Sequence, residues 1–482
     1  MPALPTYHGR DEAQRQFGEL WSKPKASLVV LQGRRRIGKS AFAAQCAKTQ
    51  AQHFLRFEGL APRDEQGRED QLAAFAEQLH AQTALPRLKL ESWPQAFQLL
   101  ANALPASGRT VLLLDEISWM GCGDRDFAGH LKVAWDNWFS TRRNLVVVLC
   151  GSVSSWIQEN ILNNTGFVGR CSLTFSLAPL RLPECVKFWG KKAERMGTME
   201  KIRLLSVTGG VPRYLEEINP AQTAEQNLHR LCFQPEALLF REFDAIFSAI
   251  FDRRAGYYRG ICEALAGPAK TVLELSKALG VERGGALTAA LEDLVQSGFL
   301  QRDQAFDPAS GRTLRQIKFR LSDNYLRFYL RYIEPAKRRI ERGLFKKLAL
   351  DALPAWDGVM GLQFENLVLQ NLDALQRELG LETTPILNAA PYFQNKTQRQ
   401  EACQIDLLLR TRQAVYVLEM KLRQVVPKST ITEVKEKVRR LKLPRGQSYR
   451  TVLVYAGELE SGLAEEDYFD CLVPFESLLR DF

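Results

Sequence analysis

The chain is poor in the residues that build metal clusters and disulfide frameworks. Of its 482 residues only five are histidine, and no two of its nine cysteines form a CxxC pair. A zinc cluster or a disulfide scaffold is therefore not expected, and the scattered cysteines read as small core residues. Long apolar runs are also missing. No stretch reaches the ~18 residues a membrane span requires. The N-terminal segment has no basic region followed by an apolar one, so it does not read as a secretory signal, and the expected location is cytoplasmic. There is no internal repeat and no low-complexity tract.

What is present is ordinary for a globular protein: 45% hydrophobic and 25% charged residues. At this length two to four domains are expected. The formal charge of +10 favours anionic partners, nucleic acid before an anionic membrane surface. The excess is concentrated in the C-terminal half. Residues 315–348 carry Arg315, Lys318, Arg320, Arg327, Arg331, Lys337, Arg338, Arg339, Arg342, Lys346 and Lys347 against Asp323, Glu334 and Glu341.

Residues 1–190 alternate short apolar runs with helical patterns, as βαβ units around a buried parallel sheet do. Strands are expected at 27–32, 53–58, 110–114 and 145–150. Between the first strand and the helix after it stands Gly33-Arg34-Arg35-Arg36-Ile37-Gly38-Lys39-Ser40. This is a GxxxxGK[ST] phosphate loop in the context that motif requires. Backbone N–H groups would face the phosphates, with Gly33 and Gly38 permitting close approach. Lys39 would reach the β- and γ-phosphates and Ser40 would ligate magnesium. The strand ending in Asp115-Glu116 supplies the companion acids: Asp115 for the magnesium shell, Glu116 to orient water. Ser152, after the fourth strand, is placed to sense the γ-phosphate, although a simple strand-ending turn reads equally well. Arg170 reads as a charge sensor or a solvated loop arginine. Pro212 and Arg213, in a helical region 183–250, are candidates for a lid over the nucleotide.

Three short helices over 257–297, then two strands at 298–302 and 316–321, read as a winged helix-turn-helix. Its last helix lacks base-reading side chains, and Leu287, Leu291 and Leu294 mark it as core-facing. It therefore reads as a spacer or protein-docking module ahead of a sequence-specific DNA reader. Tyr325, Phe328, Tyr329 and Tyr332 interleave with Arg327 and Arg331. Packing of one helix face is preferred there to a nucleic-acid platform.

Further on, Asp406 lies on one expected strand and Glu419-Met420-Lys421 on the next. Residues two apart on a strand share a face, so Glu419 and Lys421 point together. With Asp406, and Glu365 from the preceding helix, they form a candidate set for a divalent cation that activates water against a phosphodiester. The basic helix after them, with Lys435 and Arg439, reads either as a phosphate-tracking face or as a solvated one.

In order, Tyr7-His-Gly-Arg-Asp-Glu12, GRRRIGKS, LLLDEISWM, CGSVSSW and GGVPRYL resemble the archaeal and bacterial ATPase family of the STAND/AAA+ class over residues 1–245. The resemblance implies an ATP or ADP site with Gly9-Arg10 near the adenine, and switching between nucleotide states. Gly361-x-x-Phe-Glu365, Ile405-Asp406 and Glu419-Met-Lys421 resemble the PD-(D/E)XK nuclease-like domain that accompanies such ATPases, over roughly 355–460. Ile405 stands where that pattern has Pro. The expected fold is α/β multidomain. It comprises a P-loop parallel-sheet ATPase core (1–182), a helical lid (183–250), a winged helix-turn-helix (251–322), a basic aromatic helical connector (323–354) and an α/β restriction-endonuclease-like domain (355–482). The cofactors implied are ATP and Mg2+. The partners implied are nucleic acid, DNA ahead of RNA, a second copy of the chain, and a protein at the winged helix.

Overall fold

A computed structural model of the protein describes residues 7–61, 67–152, 155–251, 254–345, 349–398, 400–441, 443, 446 and 448–480. Lys346 and Lys347 of the basic stretch lie outside them. The chain divides into two compact units, Met1–Pro179 and Leu180–Phe482. Among the described residues no helix is long and apolar enough to cross a membrane.

In the first unit, β1 (Ser27–Gly33), β2 (His53–Glu58), β3 (Thr110–Asp115), β4 (Leu145–Ser152) and β5 (Cys171–Leu177) form a sheet in the order β2-β3-β4-β1-β5. Every neighbouring pair is parallel. The uninterrupted apolar runs of β1, β3 and β4 follow from burial on both faces. Leu28, Val30, Leu112, Leu114, Val147 and Leu149 pack on one side. Val29, Leu31, Val111, Leu113, Val146, Val148 and Cys150 pack on the other. The expectation of four strands missed β5. Its residues alternate with polar ones, and only Phe175 and Leu177 are buried, so its period-2 signal is short.

The second unit begins with helices and continues with Ala255–Ala264, Val272–Leu279 and Gly285–Gln296. Thr271 and Glu274 form a capping box at the second of these three, and Gly280 ends it at φ 65°, the left-handed cap a glycine supplies. Then β6 (Leu300–Phe306) and β7 (Thr313–Leu321) pair antiparallel. Leu287, Leu291 and Leu294 are buried. So are Tyr325, Phe328, Tyr329 and Tyr332, with the Tyr329 ring stacked on Phe243 at 4.2 Å. A π-helical segment at Tyr329–Ile333 lies between Arg327, fully buried, and the regular helix Glu334–Glu341.

The last sheet has β8 (Asn388–Gln394), β9 (Cys403–Arg410), β10 (Ala414–Val426), β11 (Ser448–Leu459) and β12 (Cys471–Pro474) in the order β12-β11-β10-β9-β8. The pairs β8–β9 and β9–β10 are antiparallel, and β10–β11 and β11–β12 are parallel. One hydrophobic cluster runs from Leu180 through Leu321, Tyr325 and Phe364 to Leu418 and Leu479, so helices, ribbon and sheet share a core. The ribbon's turn is seated on this sheet: a Cβ at Gly311 would lie 2.6 Å from Arg410 Nη1.

Candidate nucleotide site and C-terminal carboxylate cluster

The loop leaving β1 needs two left-handed residues, Arg36 at φ 69° and Gly38 at φ 85°. They curl the backbone so that successive N–H groups face one concavity. At Gly33 any side chain is excluded, because a Cβ would stand 2.9 Å from the Leu177 carbonyl oxygen. Ile37 is fully buried, and Arg10 donates to its carbonyl at 2.6 Å, bracing the loop. The helix Lys39–Gln50 starts at Gly38 without a side-chain cap. Its first-turn N–H groups therefore have no intrahelical acceptor and suit an anion.

The register of the sheet brings the other groups to the same end of the strands. Gly33 pairs with Ser152, and Asp115 with Glu58. Lys39, only 6% exposed, donates to the Gly33 and Arg34 carbonyls at 3.1 and 3.3 Å and lies 3.5 Å from Ser152 Oγ. The Ser152 N–H donates to Glu116 at 3.4 Å. Burial pushes the Glu116 carboxyl above its ordinary range, against the pull of Lys39. Asp115 is buried. Its Oδ1 accepts the Glu116 N–H at 3.2 Å and its Oδ2 lies 2.9 Å from Arg56. Ser40 follows Lys39 in the first turn, half-buried. The structure thus gathers the loop, Lys39, Asp115, Glu116 and Ser152 at the carboxyl end of the interior strands. The uncapped helix start and oxygen donors fit a polyphosphate and a hard divalent cation.

Residues 25–186 match the family model described as an AAA domain. An uncharacterized protein of Methanocaldococcus jannaschii is 21% identical over 373 residues, 76% of this chain and 77% of its own. A Walker-type ATPase of Pyrococcus abyssi superposes with a TM-score of 0.51 at 17% identity, covering 67% of this chain and 96% of its own. That likeness is one of fold. Residues 25–186 thus resemble an AAA domain, with the phosphate loop and parallel sheet of a P-loop fold.

Two other arginines are already engaged. Arg170 makes a two-pronged bond to Asp136 at 2.7 and 2.9 Å, which with Lys132 holds that carboxyl down at about 2. Pro212 opens the short helix Pro212–Leu215 in the second unit, where Arg213 pairs with Glu216 and Glu217.

In the second unit, β9 and β10 pair as far as Leu407 and Leu418, and the ladder then stops. Asp406 substitutes for the missing partner by accepting the Met420 N–H at 2.7 Å. Glu419 is buried. It lies 3.0 Å from Lys421 and 2.5 Å from Lys437, and Lys421 also reaches Glu433 at 2.9 Å. Burial drives the Asp406 carboxyl well above its usual range, and Glu419 and Glu365 add to the shift. Burial also raises Glu365, while Arg320 and Arg327 oppose. The expected residues are therefore close enough to feel one another. Even so, among the described residues no group of three or more His, Cys, Asp or Glu is arranged to hold a metal ion. Glu419 is engaged by two lysines and Asp406 by a backbone amide.

Sequence reasoning missed Lys437, having favoured Lys435 and Arg439. A signal was present. Lys437 stands three residues after the buried Val434 and seven after the buried Thr430, on the inward stripe of the helix Ser429–Arg440. Arg56 was also missed, one position from Leu55 on a strand read only as a short apolar run.

Proposed function

We propose that the protein binds and hydrolyses ATP with magnesium, and that its nucleotide state governs a restriction-endonuclease-like C-terminal domain acting on DNA. The observation that carries the first part is the chain Lys39–Ser152–Glu116 beside the buried Asp115, at the end of the sheet where the loop opens. In this reading Gly33, Arg34, Arg35, Arg36, Ile37 and Gly38 wrap the phosphates with backbone amides, and Lys39 offsets their charge. Ser40 and Asp115 hold the cation, which supplies charge neutralisation at the transferring phosphoryl group. Glu116, whose carboxyl burial pushes above its ordinary range, orients the attacking water, and Ser152 reports the γ-phosphate to Glu116 through its amide. Pro212 belongs to a lid.

The division into core, lid, winged helix, connector and nuclease-like domain, with boundaries near 182, 250, 322 and 354, belongs to the same proposal. So do a protein partner at the winged helix and self-association. For the C-terminal domain, the nuclease pattern would use Glu365, Asp406 and Glu419 for Mg2+ and Lys421 to position water or offset charge, but among the described residues these carboxylates are not arranged to hold the cation. A second reading has a specific observation in its favour. In that reading the ion pairs with Lys421 and Lys437 occupy the Glu419 carboxylate in place of a cation, and the domain would grip DNA without cutting it.

The test is nucleotide binding and ATP hydrolysis by the full chain, with plasmid and single-stranded DNA cleavage in magnesium or manganese. Lys39→Ala should lose nucleotide binding, and Glu116→Gln should bind but not hydrolyse. Cleavage lost in Lys421→Ala would establish a nuclease. DNA binding that survives Glu419→Ala without cleavage in wild type would favour the gripping role. Intact ATP turnover in Lys39→Ala would refute the first reading.

A further inference from the structure

The strand β2 lies at the edge of the first sheet and alternates: Leu55 and Phe57 face the core, Phe54, Arg56 and Glu58 face outward. Its position is fixed by Gln82, whose side-chain amide accepts from the Arg56 N–H at 2.8 Å and donates to the Arg56 carbonyl at 2.6 Å. From this anchored backbone the Arg56 guanidinium reaches two carboxylates through one nitrogen. Nη2 lies 2.9 Å from Asp115 Oδ2 and 2.9 Å from Glu58 Oε2. The three partners differ sharply in exposure. The Asp115 side chain is 2% exposed, those of Arg56 and Glu58 44% and 52%.

A carboxylate this far from water needs a cation beside it. Arg56 supplies one positive charge to an oxygen that a hard divalent cation would also require. The two cannot share that lone pair on equal terms. Glu58 gives Arg56 a second anion within the same reach, so the guanidinium keeps an ion pair when it leaves Asp115.

We propose that Arg56 competes with the divalent cation for Asp115 and that Glu58 receives the guanidinium when the cation binds. This rests on the reading of Asp115 as a magnesium ligand. Arg56 is thus a positioning residue: it holds Asp115 in place before nucleotide arrives and sets the magnesium concentration at which nucleotide is retained.

The two outer residues predict opposite effects, which a purely structural role would not produce. The measurement is the magnesium dependence of binding of a fluorescent ADP analogue to the full chain, with no turnover required. Arg56→Gln removes the competitor and should lower the half-saturating magnesium concentration by roughly fivefold, near the upper end for an ion pair with one exposed partner. Glu58→Gln removes the receiver and should raise it. Both variants change exposed side chains, and unchanged thermal unfolding of each would certify the fold. A half-saturation point that is unchanged or higher in Arg56→Gln overturns the proposal, as does one that falls in Glu58→Gln. Asp115→Asn separates this from the underlying reading. If it retains the wild-type magnesium dependence, Asp115 is no ligand, and the reading fails with the competition built on it.

Discussion

Lys437→Met isolates the contact that holds the C-terminal cluster together. The substitution keeps most of the aliphatic stem and removes only the charge that lies 2.5 Å from Glu419. Glu419 has a side chain 4% exposed, so the lost cation is not replaced by bulk water. Breaking a fully buried pair costs about 3–5 kcal/mol. Two features reduce that here. The Lys437 side chain is 26% exposed, and Lys421 remains 3.0 Å from the same carboxylate. The expected loss is therefore about 1–2.5 kcal/mol. Native-state amide exchange along β10 reads it locally, since the helix bearing Lys437 and the strand bearing Glu419 should open together. The double variant Lys437→Met/Glu419→Gln should recover part of the loss, because the carboxylate left behind is the costly species. A loss below about 0.5 kcal/mol, or a double variant less protected than the single one, would refute the argument.

Three further outcomes are expected. Because burial holds the Asp406 carboxyl above its unfolded value, the folded state binds that proton more tightly, and its contribution to stability is lost as pH rises through the folded value. Asp406→Asn should accordingly be more stable than wild type near about pH 8, with the difference shrinking toward about pH 4, as urea midpoints at the two pH values would show. Gly33→Ala should cost about 1–3 kcal/mol and lose nucleotide binding, because its Cβ meets the Leu177 carbonyl at 2.9 Å; thermal unfolding and a fluorescent-nucleotide titration check both. Arg331, Arg338 and Arg342 are exposed and make no ion pair among the described residues. Changing all three to Gln should reduce the slope of log affinity for DNA against log salt by about 2–3, measured by fluorescence anisotropy, without altering thermal stability.

The sequence made the first sheet legible because strands buried on both faces carry uninterrupted apolar runs, as β1, β3 and β4 do. The phosphate loop was equally plain, since its glycines answer steric demands that the geometry makes visible: Gly38 at φ 85° and Gly33 against Leu177. The edges were harder. The strand β5 is half-exposed, and β8 and β12 are short or irregular, so each lacks a sustained period. Side-chain partners across elements were the least legible. Nothing in the spacing between Arg56 and Asp115, or between Glu419 and Lys437, encodes a distance, because each pair is brought together by a crossover the pattern cannot measure. The π-helical turn at Tyr329–Ile333 is similar. It separates Arg327, in the core, from Arg331, in water, although the two stand four residues apart and would share a face on a regular helix.

The common core of the second unit has a consequence for inheritance. The guanidinium of Arg320, on β7, bonds Asn366 on the helix that carries Glu365, and Arg327 bonds Gln363 on the same helix at 2.7 Å. The aromatic face at 325–332 lies in the hydrophobic cluster that also holds Leu418 and Val454 of the last sheet. A gene fusion that moved residues 355–482 alone would carry away half of each of these pairings and expose the cluster's cut surface. Recombination would therefore be expected to move the ribbon and connector together with the carboxylate cluster, as a single heritable block.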